Sequence, residues 1–319
     1  MHLYARAIGL SGMGGKTNMD FLLDTMIEGA KMNNLISYNQ DKEVTDGFYE
    51  AQINQGMVFR KPPNVYRDML GITLRGIYNP ETKEFHPSFY YPYIRGEAPR
   101  FNTEIFIERQ SDKEAYMVHC NEPRREVSPI FFLSNIIDYL KTEKGKKHLP
   151  DKFVYLSGLS TEGKIILPIK QTDEQIDKCK AATNKRNQLV DMALQGNTDA
   201  IDSLTMDDYD MLTNLCQRIR NEDIYSIVNS SFIPSGLECD NYSVIGNIIE
   251  VESMKNEVTF EDVYYMLLEC NDNMINVAIN RKDLYGIPQK GYRFVGKIWL
   301  QGTIDFKEKV GGIDAITNP

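Results

Sequence analysis

Apolar and polar positions in the first 170 residues form short alternating runs separated by polar turns, a pattern typical of an α+β region. The apolar run at residues 3–10 is predicted to be a strand. A helix is predicted to begin at Thr17, because Thr17 and Asp20 have the spacing of a capping box. Strands are then predicted at residues 72–78, 85–94, 104–108, 114–120, 153–157 and 164–169.

A second helix is predicted to begin at Ser128, with Pro129 at the first helical position, where its missing N–H costs nothing. Its apolar face would contain Ile130, Leu133 and Ile137. The strands at residues 104–108 and 114–120 flank a short polar tip, which suggests a hairpin, and strands joined this tightly must pair antiparallel. Residues 1–170 are therefore expected to form an α+β domain, a mixed antiparallel sheet with helices.

Residues 171–232 change to helical spacing, with apolar residues every three or four positions. One helix is predicted to end at Gly196-Asn197, a pair suited to a left-handed C-cap. The next helix is predicted to begin at the capping box Thr205-Met-Asp-Asp208. Pro234-Ser-Gly236 then indicates a boundary, so residues 171–232 are expected to be a helical segment between two domains.

From Tyr242 onward the period changes to two, which indicates strands at residues 244–251, 263–270, 274–279, 292–300 and 303–306. A short helical element at residues 282–285 follows the third strand. This order is that of a small OB-like β-barrel, although an SH3-like barrel or a curled sheet has the same periodicity. The predicted fold class is thus α+β, with an OB-like β-barrel domain at residues 233–319.

The chain of 319 residues is acidic, with a net charge of −9, and it has no basic block. Phosphate contacts supply most nucleic-acid affinity, so nucleic acid is not an expected partner. No apolar run approaches the roughly 18 residues of a membrane span, and no signal-peptide pattern is present. Five scattered cysteines suit reduced cytoplasmic thiols, and neither cysteine nor histidine spacing fits a metal. The expectation is a cytoplasmic protein without a metal, a cofactor or a membrane partner.

Several motifs make the chain similar to an uncharacterised family, a domain of unknown function from Gram-positive anaerobic bacteria. The similar segments are Arg6-Ala-Ile-Gly9, the helical residues 199–223, Glu238-Cys-Asp240, Tyr242-Ser-Val244, Gly246, Gly286, Pro288, Gly291-Tyr-Arg-Phe294, Gly296 and Trp299-Leu-Gln-Gly302. The resemblance covers most of the chain. It implies no activity, cofactor or catalytic residue.

The segment GLSGMGGKT, residues 9–17, ends in the Gly15-Lys16-Thr17 of a nucleotide-binding P-loop. A P-loop needs a glycine five residues before Gly15, where its loop length aims the backbone N–H groups at phosphates. Leu10 occupies that position, and Gly9 comes one residue too early. The segment is therefore interpreted as a connector that caps a helix, and phosphate binding is the alternative.

Neighbouring His119 and Cys120 suggest a thiol enzyme, but successive residues of a strand point to opposite faces and cannot pair as base and nucleophile. A buried structural cysteine is the favoured interpretation. No catalytic residue is predicted.

Tyr90 and Tyr91 lie in an aromatic run at residues 85–93 that prolines interrupt, and Arg95 follows it. Tyrosine and arginine are enriched at recognition sites, so this run is a candidate groove for a peptide, a sugar or bases. The prolines place it on an edge strand or in an extended loop. The alternative is that the rings close the core.

Alternation in the strand at residues 292–300 puts Arg293, Lys297 and Trp299 on one face, which we assign to the outside of the barrel. Two cations beside the only tryptophan would stack on a base or hold an acidic peptide. Alternatively, Trp299 packs on the helical segment, and the cations pair with its carboxylates, such as Asp208.

No residue spacing meets the needs of a nucleophile, a metal or a cofactor. The predicted function is a soluble intracellular binding or adaptor protein that is not an enzyme and whose partner is another protein or a small ligand. Two alternatives stay open. One is a nucleotide-dependent enzyme that uses the GMGGKT segment, and the other is a single-strand nucleic-acid binder that uses the barrel.

Overall fold

The structure is a computed structural model of the chain. It describes residues 3–12, 35–37, 47–53, 59–61, 65–67, 70–79, 84–96, 99–110, 115–122, 125, 127–142, 146–169, 173–256, 258–271 and 273–306. The helix predicted from Thr17 lies outside the described residues.

Strands and helices follow one another in this order. The strands are β1 (Leu35–Ser37), β2 (Gly47–Ile53), β3 (Phe59–Lys61), β4 (Val65–Arg67), β5 (Leu70–Asn79), β6 (Glu84–Ile94), β7 (Phe101–Arg109), β8 (Tyr116–Asn121), β9 (Ile130–Leu133), β10 (His148–Ile166), β11 (Ser231–Pro234), β12 (Asn241–Asn256), β13 (Asp262–Cys270), β14 (Asn273–Asn280), β15 (Leu284–Tyr285) and β16 (Arg293–Asp305). The α-helices are α1 (Ile136–Thr142), α2 (Asp173–Leu194), α3 (Thr198–Ile219) and α4 (Ile224–Ile227), and 3-10 helices cover Leu3–Ile8 and Arg281–Asp283.

The long strand β10 organises the larger of the two sheets. It pairs antiparallel with β16 along one edge, from Phe153 to Ile166. Along its other edge it pairs antiparallel with β7 and then parallel with β14. The sheet runs in the order β13-β14-β10-β7-β8-β9-β16-β12-β3-β4, and additional pairing of β12 with β13 and of β10 with β16 closes part of it on itself. A smaller sheet has the order β1-β2-β5-β6.

The predicted fold class is wrong. The described residues are mostly strand, and the sheet is mixed because β10 runs parallel to β14 and β9 runs parallel to β16. The C-terminal strands do not form an OB-like barrel of their own, since β10, at His148–Ile166, supplies hydrogen bonds to both β14 and β16. Strands from both sides of the predicted boundary at residue 233 therefore share one sheet.

Several local predictions are also corrected by tertiary pairing. Residues 3–8 form a 3-10 helix and not a strand. The predicted helix at residues 130–133 is strand β9, which β8 and β16 hold on its two sides. The strands predicted at residues 153–157 and 164–169 are one strand, β10, with a register shift between Ser160 and Glu162. Residues 292–300 and 303–306 are likewise one strand, β16.

The helices α2 and α3 form an antiparallel pair joined near Gly196, where one helix was predicted to end. Helix α3 begins earlier than predicted, because Asn197 and not Thr205 is its N-cap and accepts a hydrogen bond from the Ala200 N–H. Ala200 is the only buried side chain among those described in these two helices. In the described part of the chain, no helix has the length and apolar character needed to cross a bilayer.

Candidate functional site

The predicted aromatic and cationic candidates do not form a surface site. Trp299 is only 6% exposed, and its indole Nε1 donates to Asp240 Oδ2 at 2.7 Å. Its ring packs on Tyr4 and Phe132, with centroid distances of 5.4 and 5.2 Å. The expected outer face for Trp299 is therefore wrong, because the indole is buried beside Asp240.

Tyr91 belongs to the same aromatic cluster in the core. It is buried, and its ring contacts Phe132 edge-on at 4.9 Å. Tyr90 is half-buried against the core. Arg95 is exposed and lies over the ring of Tyr93 at 5.6 Å. Arg95, just after β6, is thus the exposed member of these candidates.

Arg293 is buried and organises the attachment of the helical pair to the sheet. Its guanidinium donates to the carbonyl oxygens of Leu167, Tyr225 and Val228 at 3.0, 2.7 and 2.8 Å. Burial lowers the pKa of this group from its ordinary value. The expected outer-face position is wrong for Arg293 as well, whereas Lys297 is exposed and pairs with Glu162 at 3.0 Å.

Gly15, Lys16 and Thr17 lie outside the described residues, but the start of their segment is described. The Gly9 carbonyl accepts a hydrogen bond from the Thr259 hydroxyl, and the Ile8 carbonyl accepts one from Asn256 Nδ2. Gly9 has a φ of +86°, a conformation that favours glycine. The segment is thus anchored on the turn between β12 and β13.

A pocket of about 500 Å³ opens at this anchor point. We call it the ion-pair pocket. It is lined by Thr259, Phe260, Glu261, Asp262, Asn280, Arg281 and Lys282, from the N-terminal end of β13 and the C-terminal end of β14. These ends meet because β13 and β14 are antiparallel partners, with Val263 opposite Asn280.

Glu261 is the centre of a hydrogen-bond network in the ion-pair pocket. Its carboxylate accepts from the backbone N–H and the hydroxyl of Ser11, at 3.1 and 2.6 Å. It also accepts from Asn280 Nδ2 and from Lys282 Nζ, both at 2.6 Å. Two of these four donors come from Ser11, so the buried carboxylate holds the N-terminal segment against the sheet across about 250 residues of sequence.

The saturated carboxylate explains what this site can do chemically. Burial raises the pKa of Glu261, but hydrogen bonds from Lys282, Ser11 and Asn280 outweigh it and hold the pKa below its usual range. The group is therefore ionised at neutral pH and is a poor base for activating Ser11. The geometry favours binding over acid–base catalysis.

The cations of the ion-pair pocket point outward. Lys282 is 62% exposed while its partner Glu261 is 7% exposed. Arg281 and Lys255 both pair with Asp262, and in each pair the cation is the more exposed partner. The outer rim is therefore positively charged, and the carboxylates lie beneath it.

Phe260 stands at the rim in a strained conformation. It has a φ of +59°, which is an outlier for a bulky side chain, and it is 72% exposed. Such strain persists only where the surroundings hold it, and it is concentrated at ligand sites. Here the Phe260 N–H donates to the Asn256 carbonyl at 2.8 Å, which holds the turn.

The ion-pair pocket was not predicted from the sequence, although some of its neighbouring residues were foreseeable. The predicted strands at residues 263–270 and 274–279 are separated by only three residues, so Asp262 and Arg281 in the flanking segments were foreseeable neighbours. Ser11 was not, because no local pattern connects it to residues that are 250 positions away.

Cys120 is a buried strand residue, and burial raises the pKa of its thiol to about 12. It therefore has almost no thiolate at neutral pH and is a poor nucleophile. Its neighbour His119 points to the other face of β8, near Glu108 at 3.7 Å.

Glu261 also makes the stability of this anchor sensitive to acid. Because its folded pKa lies below the unfolded value, its contribution is complete above about pH 4.5 and is lost as the pH falls through the folded pKa. We expect Glu261→Gln to lower the free energy of unfolding at pH 7 by about 2 kcal/mol. Urea unfolding from pH 7 to pH 3 should also show a shallower loss of stability for this variant than for the wild type.

Glu162→Gln is the control for this experiment, since Glu162 is 62% exposed in its pair with Lys297. Loss of an exposed pair should cost less than about 1 kcal/mol. Equal pH profiles for wild type and Glu261→Gln would contradict the network described here.

The fold and the pocket together define a mixed β-sheet protein with a small polar cleft at one sheet end. Residues 5–302 match the profile of a domain of unknown function described from an E. rectale gene, DUF3881. The chain belongs to this family, which confirms the resemblance found in the sequence. The search of curated proteins gave no match, and the search of solved structures gave none.

Proposed function

We propose that this protein is a non-enzymatic binding or adaptor protein of the cytoplasm, and that the ion-pair pocket holds a small anionic ligand. The observation that carries the proposal is the outward orientation of Arg281 and Lys282, the two cations that line the pocket, over inward carboxylates. A carboxylate or phosphate group that reaches the rim meets the cations first.

The cost of recruiting Arg281 is small, because an exposed ion pair contributes about 0–1 kcal/mol and Arg281 is 65% exposed. Lys282 is also exposed, but its partner Glu261 is buried, so turning Lys282 away from that carboxylate costs more. Glu261 then keeps its hydrogen bonds from Ser11 and Asn280, and Asp262 keeps Lys255. The buried carboxylates thus remain satisfied while the cations bind.

Phe260 supports a ligand with an apolar part beside its anionic group. Its exposed ring borders the same pocket, and burying an aromatic ring against a ligand contributes affinity. The strained turn at Phe260 is already held by its hydrogen bond to Asn256, so it need not rearrange when a ligand binds. This reduces the entropic cost of binding.

A cytoplasmic location is supported by the cysteines that the structure describes. Cys120, Cys216, Cys239 and Cys270 are free thiols, and Cys216 and Cys239 are exposed. Exposed free thiols are typical of a reducing compartment.

Two other functions have less support. For a nucleotide-dependent enzyme, the P-loop order needs a strand before the loop, and residues 3–8 are a 3-10 helix. The Ser11 N–H, a candidate phosphate donor, is occupied by the Glu261 carboxylate. For single-strand nucleic-acid binding, the Trp299 ring is buried and offers no face for stacking.

Thermal unfolding with added anions tests the proposal. We expect citrate or inorganic phosphate to raise the Tm of the full chain, because a ligand that binds only the folded state stabilises it. The double variant Arg281→Ala/Lys282→Ala should lose this shift. Lys297→Ala should keep it, since Lys297 has the same 62% side-chain exposure as Lys282 but lies elsewhere.

The contrary outcomes are distinct. An anion shift that survives in the double variant would place the binding outside the ion-pair pocket. A shift that requires ATP or GTP with Mg²⁺ and disappears in Lys16→Ala would support the nucleotide-dependent alternative instead.

A further inference from the structure

Helix α3 carries an exposed row of side chains that its partner α2 does not cover. The row repeats at alternate spacings of four and three residues, as in one strand of a coiled coil. We call it the α3 seam, and its members are Thr205, Tyr209, Leu212, Cys216 and Ile219, all of them exposed.

The contact with α2 uses a different stripe of α3. Leu204 and Asp208 are half-buried, and Asp208 accepts a hydrogen bond from Arg186 of α2 at 2.6 Å. Around the helix, Asp208 lies about 100° from Tyr209 but only about 40° from Leu212, so the two stripes adjoin. The seam is therefore a second packing face, and in the described residues its apolar members point to solvent.

Charge is distributed unequally along α3. Asp199 lies beside the seam at the N-terminal end, where Asp202 continues its spacing, and Arg220 lies beside it at the C-terminal end. A parallel copy of α3 would place acid next to acid. An antiparallel copy would place each acidic end beside a basic end and would also oppose the two helix dipoles.

We propose that the α3 seam pairs with the α3 seam of a second copy of this chain, antiparallel and about a two-fold axis. With Tyr209 opposite Leu212 of the partner subunit, Thr205 falls opposite the partner's Cys216. The same alignment places Asp199 opposite the partner's Arg220 at both ends. The alignment is self-complementary in residue spacing and in the charges at its ends, as a two-fold interface requires.

This dimer is independent of the anionic ligand proposed above, because the α3 seam and the ion-pair pocket share no residues. Each subunit of this dimer would bind a ligand in its ion-pair pocket and would bind the other subunit through its α3 seam. The dimer would therefore present two ligand sites. Its effective affinity for a bivalent partner rises accordingly.

Sedimentation velocity of the full chain over a concentration series tests the proposal. We expect a monomer–dimer equilibrium for the wild type. Leu212→Glu should weaken association by at least about tenfold, as removal of a central interface side chain does. Leu237→Glu is the matched control, because Leu237 is also exposed but lies in the turn between β11 and β12.

Charge exchange tests the antiparallel alignment. Arg220→Asp alone and Asp199→Arg alone should each weaken the dimer, whereas the double variant Asp199→Arg/Arg220→Asp should restore it. Circular dichroism shows whether each variant keeps its helices. A strictly monomeric wild type, or a dimer that tolerates Leu212→Glu, would overturn the proposal. Failure of the double variant to recover would overturn the alignment.

Discussion

Arg293→Ala is expected to lower the free energy of unfolding by about 3 kcal/mol, one of the largest effects of a single substitution in this chain. The guanidinium donates to the carbonyls of Leu167, Tyr225 and Val228, and its removal leaves all three short of a donor. Removing a buried charge gives back part of this loss. The loss dominates because three acceptors are affected at once.

Urea unfolding followed by the fluorescence of the single, buried tryptophan measures this effect. Arg281→Ala is the matched control, since Arg281 is 65% exposed and should cost less than about 1 kcal/mol. Arg293→Lys should recover only part of the loss, because an ammonium cannot reach three carbonyls as a guanidinium does. A change below about 1 kcal/mol for Arg293→Ala would mean that water satisfies the carbonyls.

Hydrogen exchange adds a local readout for the same variant. The three carbonyls lie just before α2 and around α4, at the two points where the helical pair joins the sheet. Loss of Arg293 should therefore increase exchange at these junctions more than in β12 or β13.

Gly163→Ala is expected to cost about 2–3 kcal/mol by overpacking the core. A Cβ on Gly163 would come within 2.4 Å of the Phe294 ring and 3.1 Å of Ile279. Phe294 is fully buried on β16, directly beside β10, so its ring has no free volume to enter. The same denaturant experiment measures the loss.

A double-mutant cycle identifies the cause. Phe294→Leu removes the clashing ring atoms, so Gly163→Ala should cost at least about 1 kcal/mol less in the Phe294→Leu background. Gly12→Ala is the control, because the nearest atom to a Cβ at Gly12 lies 3.9 Å away. Strictly additive losses would show that the ring is not what excludes the methyl group.

Elements whose partners are close in sequence were predictable. The hairpin of β7 and β8 and the hairpin of β13 and β14 follow from alternation and short turns. The helix pair α2 and α3 follows from helical spacing around Gly196. In these cases each element packs against its neighbour in the sequence, so the local pattern alone is sufficient to predict both the element and its partner.

The burial of Trp299 and Arg293 was not predictable from alternation. Residues 298–302 of β16 are all buried, because this part of the strand is covered on both faces. Alternation assigns faces only when one face of a strand meets water. A strand enclosed on both sides therefore gives no pattern from which to choose an outer face.

The sequence by itself determined the family, the hairpins and the two long helices of this protein. Only the tertiary structure decided that β10 joins the C-terminal strands, and that Ser11 meets Glu261 in the ion-pair pocket. The physical reason is that the edge of a strand can pair with any other strand, and a carboxylate can accept a hydrogen bond from any donor. Which partner they take depends on the packing of the whole chain.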